Sequence, residues 1–103
     1  MEHLYMGACV RQRDSGSWQA ECPDLPGCRA DGASEGEALA RIRLAIEVRI
    51  AELLGRDEEL PVPRSLDTLR ENAPDAGEYF SVHINLRHLG ALARHQSGRW
   101  QSD

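Results

Sequence analysis

From His3 to Arg13 the side chains alternate. Leu4, Met6, Ala8 and Val10 fall on one side and Tyr5, Gly7, Cys9 and Arg11 on the other, the period-two signature of a half-buried strand. Asp14, Ser15 and Gly16 then turn the chain. Gly16 takes positive φ at little cost, and Asp14 can bond its own backbone two residues on, which predicts a tight hairpin. A second strand runs from Ser17 to about Cys22, with Trp18, Ala20 and Cys22 facing one way and Gln19 and Glu21 the other. Pro23, Asp24, Leu25, Pro26 and Gly27 cannot continue a central strand, because two prolines remove ladder donors and fix φ. They form a rigid turn, with Asp24 serving the turn itself, into a short third strand at Cys28 to Asp31.

The period then changes. Leu39, Ile42, Ile46, Ile50 and Leu53 recur at spacings of three and four, and Ala38 and Ala45 widen the stripe into one face of a helix over about Glu35 to Leu54. Ser34 and Glu37 supply the S-x-x-E capping box at its start, and Gly55 is placed to end it. Glu37 to Arg41, Arg43 to Glu47 and Glu52 to Arg56 are i,i+4 ion pairs, each worth only about 0.2–0.5 kcal/mol. Leu44 and Val48 lie off the stripe, so the helix is either buried on more than one side or meets a second subunit. Pro61-Val62-Pro63 and the stretch to Gly77 form a long connection with a helical turn at Leu66 to Glu71; loops of such length usually carry structure or function. Glu78 to Leu86 is the cleanest strand, with Phe80, Val82, Ile84 and Leu86 inward and Tyr79, Ser81, His83 and Asn85 outward. Beyond Arg87, Leu89, Leu92 and Ala93 share a face of a short helix, which Ser97-Gly98 breaks.

The order β-β-β-α-β predicts an α+β fold, a small antiparallel-rich sheet with one long helix packed on one face. The division expected is a domain over residues 1–86 and a short basic tail over 87–103 of one or two helical turns. The second face of the sheet is mixed polar and aromatic, which tolerates water and also suits a partner. Its edge strands need covering or pairing, so a homodimer or larger homo-oligomer is expected.

Composition sharpens this picture. The chain has 103 residues, room for one small domain. Its twelve basic residues are all arginine, and against seventeen acids they leave a net charge of -5, which argues against wholesale binding to nucleic acid or anionic lipid. The charge is uneven: residues 1–78 carry -7 and Tyr79 to Asp103 carries +2, with three histidines besides. Three cysteines with no secretory signal ahead of them point to a reducing, cytoplasmic setting. No apolar run approaches the roughly 20 residues that span a bilayer.

Ser17-Trp18-Gln19-Ala20, Cys22-Pro23-Asp24-Leu25-Pro26-Gly27-Cys28, Asp31-Gly32, Ser34-Glu35-Gly36-Glu37-Ala38-Leu39 and Leu60-Pro61-Val62-Pro63 resemble, in order and spacing, the HicB-like antitoxin domain. The resemblance covers residues 5 to about 63. It implies a partial RNase H fold and a role in neutralising small RNA-cleaving HicA toxins, and family members typically add a C-terminal helix-turn-helix or ribbon-helix-helix segment that binds the operator. Only seventeen residues follow Leu86 here, too few for the first module or for the two helices the second needs. Operator binding by this chain alone is therefore not expected.

The fold resemblance raises nuclease chemistry, which needs carboxylates converging on a metal pair. Such enzymes place an aspartate in the first strand, and no acid lies between Tyr5 and Arg13. Asp24, Asp31, Glu35 and Glu37 cluster only in sequence. Cys22 and Cys28, spaced C-x5-C, fit poorly as zinc ligands with His83 or His88 and read as buried apolar thiols. No catalytic residue, metal or cofactor is expected. The residues suited to a partner are Tyr79, His83, Arg87, His88, Arg94, Arg99 and Trp100, the last as an anchor. The expected function is a non-catalytic antitoxin that occludes a small basic toxin; a nucleic-acid- or ligand-binding module of the same fold is the alternative.

Overall fold

The computed structural model describes residues 3–87 and 89. They run β1 (His3–Gln12), β2 (Trp18–Glu21), β3 (Arg29–Gly32), α1 (Glu35–Gly55), α2 (Leu66–Asn72) and β4 (Glu78–Asn85). The strands form one antiparallel sheet in the order β3-β2-β1-β4. This is the α+β architecture read from the alternation. The central strand β1 pairs with β4 from His3 opposite Asn85 to Val10 opposite Glu78. Beyond Val10 it continues past the end of β4, paired with β2 as far as Gln12 opposite Trp18.

Both turns form as their residues dictate. Arg13 N–H donates to the Ser17 carbonyl at 2.7 Å and Gly16 N–H to that of Arg13 at 2.9 Å, with Gly16 at φ 92°, a three-residue hairpin loop closed by a left-handed glycine. Between β2 and β3, Cys22 N–H donates to the Cys28 carbonyl at 3.1 Å, and Leu25 drops into the core. Asp24, however, does not serve its own turn. Its carboxylate accepts from the Arg64 backbone N–H at 2.9 Å and from Arg64 Nε at 2.7 Å, forty residues along the chain. This side chain is 6% exposed, and Arg64 encloses it.

Helix α1 buries Ala38, Ile42, Ile46 and Ile50 against Leu4, Met6, Ala8, Val10, Ala20, Cys22, Val82 and Ile84 of the sheet. Every one of these sits at the inward phase of its element, so the two periods mesh at one apolar layer. Ser34 Oγ accepts from Glu37 N–H at 3.1 Å. The Glu37 carboxylate reaches back one residue further than a standard capping box, to Ala33 N–H at 3.2 Å. Gly32 allows this close entry, because a Cβ there would lie 2.6 Å from the Ala38 backbone nitrogen.

Two helix expectations change. Of the three i,i+4 pairs, Glu37 to Arg41 forms at 3.1 Å; the other two do not close among the described residues, since exposed pairs repay little for ordering two long side chains. The stop is also not at Gly55, which remains helical. Arg56 caps the helix, Asp57 takes the left-handed conformation at φ 57°, and Glu58 N–H returns to the Leu53 carbonyl at 2.9 Å. This is the Schellman arrangement, with aspartate in the place glycine usually holds.

The larger correction concerns the second face of the sheet. Helix α2, capped by Ser65 through Thr68 N–H at 3.2 Å, lies across it and buries Cys9, Leu69 and Tyr79 in a second small core. Any side chain at Gly7 would meet Leu69 Cδ1. Two leucines three residues apart are a faint signal in the chain, but opposite Gly7 and Cys9 they are enough to close the middle of this face.

Leu86, Arg87 and Leu89 continue with helical backbone, and Leu89 is buried with the α1 core. The expected tail residues His88, Arg94, His95, Arg99 and Trp100, and the helix face of Leu92 and Ala93, lie outside the described residues. No described helix is long and apolar enough to cross a membrane.

Candidate interaction surface

Lying across the middle of the sheet's second face, α2 leaves two different areas exposed. On the β2 side a cleft of about 320 Å³ opens between the helix and the strands, with Arg11, Gln19, Glu21 and Arg64 at its rim and Cys9, Leu69 and Tyr79 at its floor. Arg11 and Gln19 stand opposite each other in the β1–β2 register and are joined by a 3.3 Å hydrogen bond. Glu21 pairs with Arg29 at 3.4 Å. The rim is thus a lattice of opposite charges on strands, rigid and polar, over an apolar base.

At the other end, towards the start of β1, Tyr5 is 61% exposed and faces His83 across the β1–β4 pairing. The two rings lie 5.0 Å apart. His3 also stacks on His83 at 4.9 Å, and His3 Nδ1 and His83 Nε2 share a hydrogen bond of 2.8 Å. The result is an aromatic ledge with polar edges, a composition suited to protein contact.

Of the residues expected to meet a partner, His83 and Arg87 are exposed. Tyr79 is not: it is 9% exposed, and its hydroxyl donates to the Ala73 carbonyl at 2.8 Å. It is withdrawn from the contact set, because α2 has taken the surface it would have offered. His3, Tyr5 and Arg64 were missed. Tyr5 and His3 alternate on one side of the first strand, but only the register with β4 brings them to His83.

The remaining candidate chemistry is separated by the fold. Cys22 and Cys28 lie in the α1 core, on the other side of the sheet from exposed His83. Burial pushes the Cys22 thiol up to about 12, with Cys28 adding to it. Burial likewise raises Cys28 against the pull of Arg49, and raises Cys9 against its hydrogen bond with Tyr79. Thiols held in the protonated form are poor nucleophiles and poor metal ligands. Asp24 is taken by Arg64, Glu37 by the helix start, and Asp31 stands 3.9 Å from Arg13. Among the described residues no three His, Cys, Asp or Glu side chains converge.

Comparison with known proteins places this geometry. The profile of the HicB_like antitoxin of bacterial toxin-antitoxin systems matches residues 6–94. An uncharacterised 14.9 kDa protein from the rep-hol intergenic region of Haemophilus phage HP1 is 30% identical over 83 residues, which are 79% of this chain and 61% of that protein. The chain thus spans less than two thirds of this relative. Among solved structures, the N-terminal domain of Burkholderia pseudomallei antitoxin HicB superposes with a TM-score of 0.72 at 21% identity, over 81% of this chain and all of that one. A chain of a toxin-antitoxin complex from Streptococcus pneumoniae gives 0.68 at 18% identity, over 84% of this chain and 71% of that one. At such identities the likeness is one of fold, and it reproduces the four-stranded sheet and long helix derived above. Fold, motif order and the extent of the match agree: the chain belongs to the HicB-like antitoxin family of bacterial toxin-antitoxin systems.

Proposed function

We propose that this chain acts without catalysis, by binding a small basic RNA-cleaving toxin and covering its active surface. The family match over residues 6–94 carries the reading. The charge of -7 over residues 1–78 supports it, since opposite potentials speed association and disfavour wrong partners. The contact set is the ledge of His3, Tyr5 and His83 with the cleft on the β2 side of α2, extended by Arg87, His88, Arg94, Arg99 and Trp100 along residues 87–103. Self-association belongs to the same reading, because the sheet leaves β3 and β4 as edges.

The test is whether a short neighbouring reading frame encodes a small basic protein, and whether that protein and this chain associate when co-expressed. Co-purification and relief of that protein's growth arrest are expected, with both weakened by Tyr5→Glu. Recovery of the free acidic chain alone, with arrest unrelieved, would overturn the reading. The +2 charge of residues 79–103 favours nucleic acid as the second reading. It predicts a salt-dependent shift of RNA or DNA that Arg87→Ala, Arg94→Ala and Arg99→Ala together abolish.

A further inference from the structure

The outer surface of α1 is unlike the outer surface of an ordinary amphipathic helix. Leu44 is 62% exposed and Val48 59% exposed. They stand one turn apart at the centre of the helix, on the side away from the residues that α1 buries. Beside them a shallow hollow of about 310 Å³ runs between α1 and the turn at Gly27 and Cys28, with Leu44, Ala45 and Val48 along its helical wall. The charges flanking this apolar spot are largely unspent: Arg43, Glu47 and Glu52 form no ion pair among the described residues, although Arg43 and Glu47 are correctly spaced for one. Arg41, bound to Glu37 and to the Asp31 carbonyl, still has donors to spare.

We infer that this face of α1 binds the same face of a second copy, the two helices antiparallel, with Leu44 of each against Val48 of the other. The inference rests on the self-association read above and is independent of the toxin. Charge complementarity selects the partner and its direction. With Leu44 level with Val48 across a twofold axis, Arg41 of one copy lies about 1.5 Å along the axis from the level of Glu52 of the other, and Arg43 about 3 Å from the level of Glu47. A twofold axis perpendicular to the helices sets each flank against the same flank of the partner, so Arg41 meets the flank that carries Glu52, and this pair occurs twice. Arg49, level with Arg43 in that register, does not oppose it, because it turns to the inner side and donates to the Pro26 carbonyl at 3.5 Å. A parallel pairing would instead set opposite flanks together and bring Arg41 of one copy within about 3 Å of the level of Arg43 of the other, like charge beside like. The surface is self-complementary in one direction only, as an isologous interface requires.

One helix face falls at the small end of specific interfaces, so the dimer should be weak, with a Kd on the order of 10–100 μM. Sedimentation equilibrium of the full chain across that range should show a monomer–dimer equilibrium. Val48→Glu replaces an exposed β-branched residue by a better helix former, so folding is retained and circular dichroism should be unchanged, while the dimer weakens at least about tenfold. Direction is read by cross-linking under oxidising conditions. A mixture of Leu44→Cys and Val48→Cys chains should form the mixed disulfide in preference to either homodimer, the three native thiols being buried. A chain monomeric at every concentration would overturn both self-association and this surface. A dimer indifferent to Val48→Glu, or homodimeric disulfides in excess, would overturn the surface or its direction while leaving self-association intact.

Discussion

The two faces of the sheet are covered by helices of unequal reach. On one, the twenty-one residues of α1 seal four strands with four fully buried side chains of their own. On the other, the seven residues of α2 hold with one buried leucine, a glycine beneath it and a tyrosine that ties down the helix end. The first face fixes the fold. The second leaves a cleft and an aromatic ledge beside a small lid, and elements secured by few buried contacts are those that open locally first. Rigidity and surface have been divided between the two sides of one four-stranded sheet.

The comparison can be broken most sharply by truncating each anchor. Ile46→Ala should cost about 3 kcal/mol in urea unfolding, because the cavity sits between α1 and β1 with little room to collapse. Leu69→Ala should cost about 2 kcal/mol, the low end for a buried leucine, and act locally: Cys9 should become accessible to a thiol reagent in the native state while Cys22 and Cys28 remain protected. Equal losses from both, or equal labelling of all three thiols, would mean that the faces form one cooperative unit.

Glycine substitutions sharpen the same contrast. Gly32→Ala drives a Cβ into the backbone of the first turn of α1 and should cost about 2 kcal/mol. Gly7→Ala meets the flexible end of Leu69 and should cost under about 1 kcal/mol, with the loss seen first as faster Cys9 labelling.

Alkali tests both layers together. Cys9, Cys22, Cys28 and Tyr79 are all raised by burial, so the unfolded chain releases these protons at lower pH than the folded one. The stability they carry is complete below about pH 8.5, the usual thiol value, and is lost as pH climbs towards the Cys22 value of about 12. The urea midpoint should fall from pH 8 to pH 11, and Cys22→Ala should flatten that fall. The smallest effect is local: Asp57→Gly relieves the left-handed backbone at the end of α1 and should add about 0.5 kcal/mol, read as a rise in thermal midpoint.

What could be read in the chain was what is local. The alternation of β1 and β4, the Gly16 turn, the rigid step from Pro23 to Gly27 and the stripe of α1 are each written within a few residues, and sheet and helix follow from them. The second face was harder because its structure is made by distant partners. Leu69 has no apolar period of its own and is defined by Gly7 and Cys9, sixty residues earlier. Tyr79 looked like a surface residue because its strand alternates, and the alternation was correct; what covers it comes from another part of the chain. Asp24 had a sufficient local role and a different actual one, and Asp57 holds a place where composition favoured Gly55. The ledge of His3, Tyr5 and His83 needed the pairing register before its members could be seen as neighbours.

The bond between Asp24 and Arg64 has a consequence for time as well as for shape. It closes a loop of forty residues, and the entropy of closing such a loop must be met before the contact returns anything. The intervening chain, mostly α1, has to be folded onto the sheet first, so the strap forms on the downhill side of the folding barrier. Asp24→Asn should accordingly leave the refolding limb of a chevron plot unmoved and raise the unfolding limb, shortening the lifetime of the native state. A slowed refolding rate would place the strap in the nucleus instead. On this view the pair acts as a latch, setting how long the second face stays shut once the first has already formed.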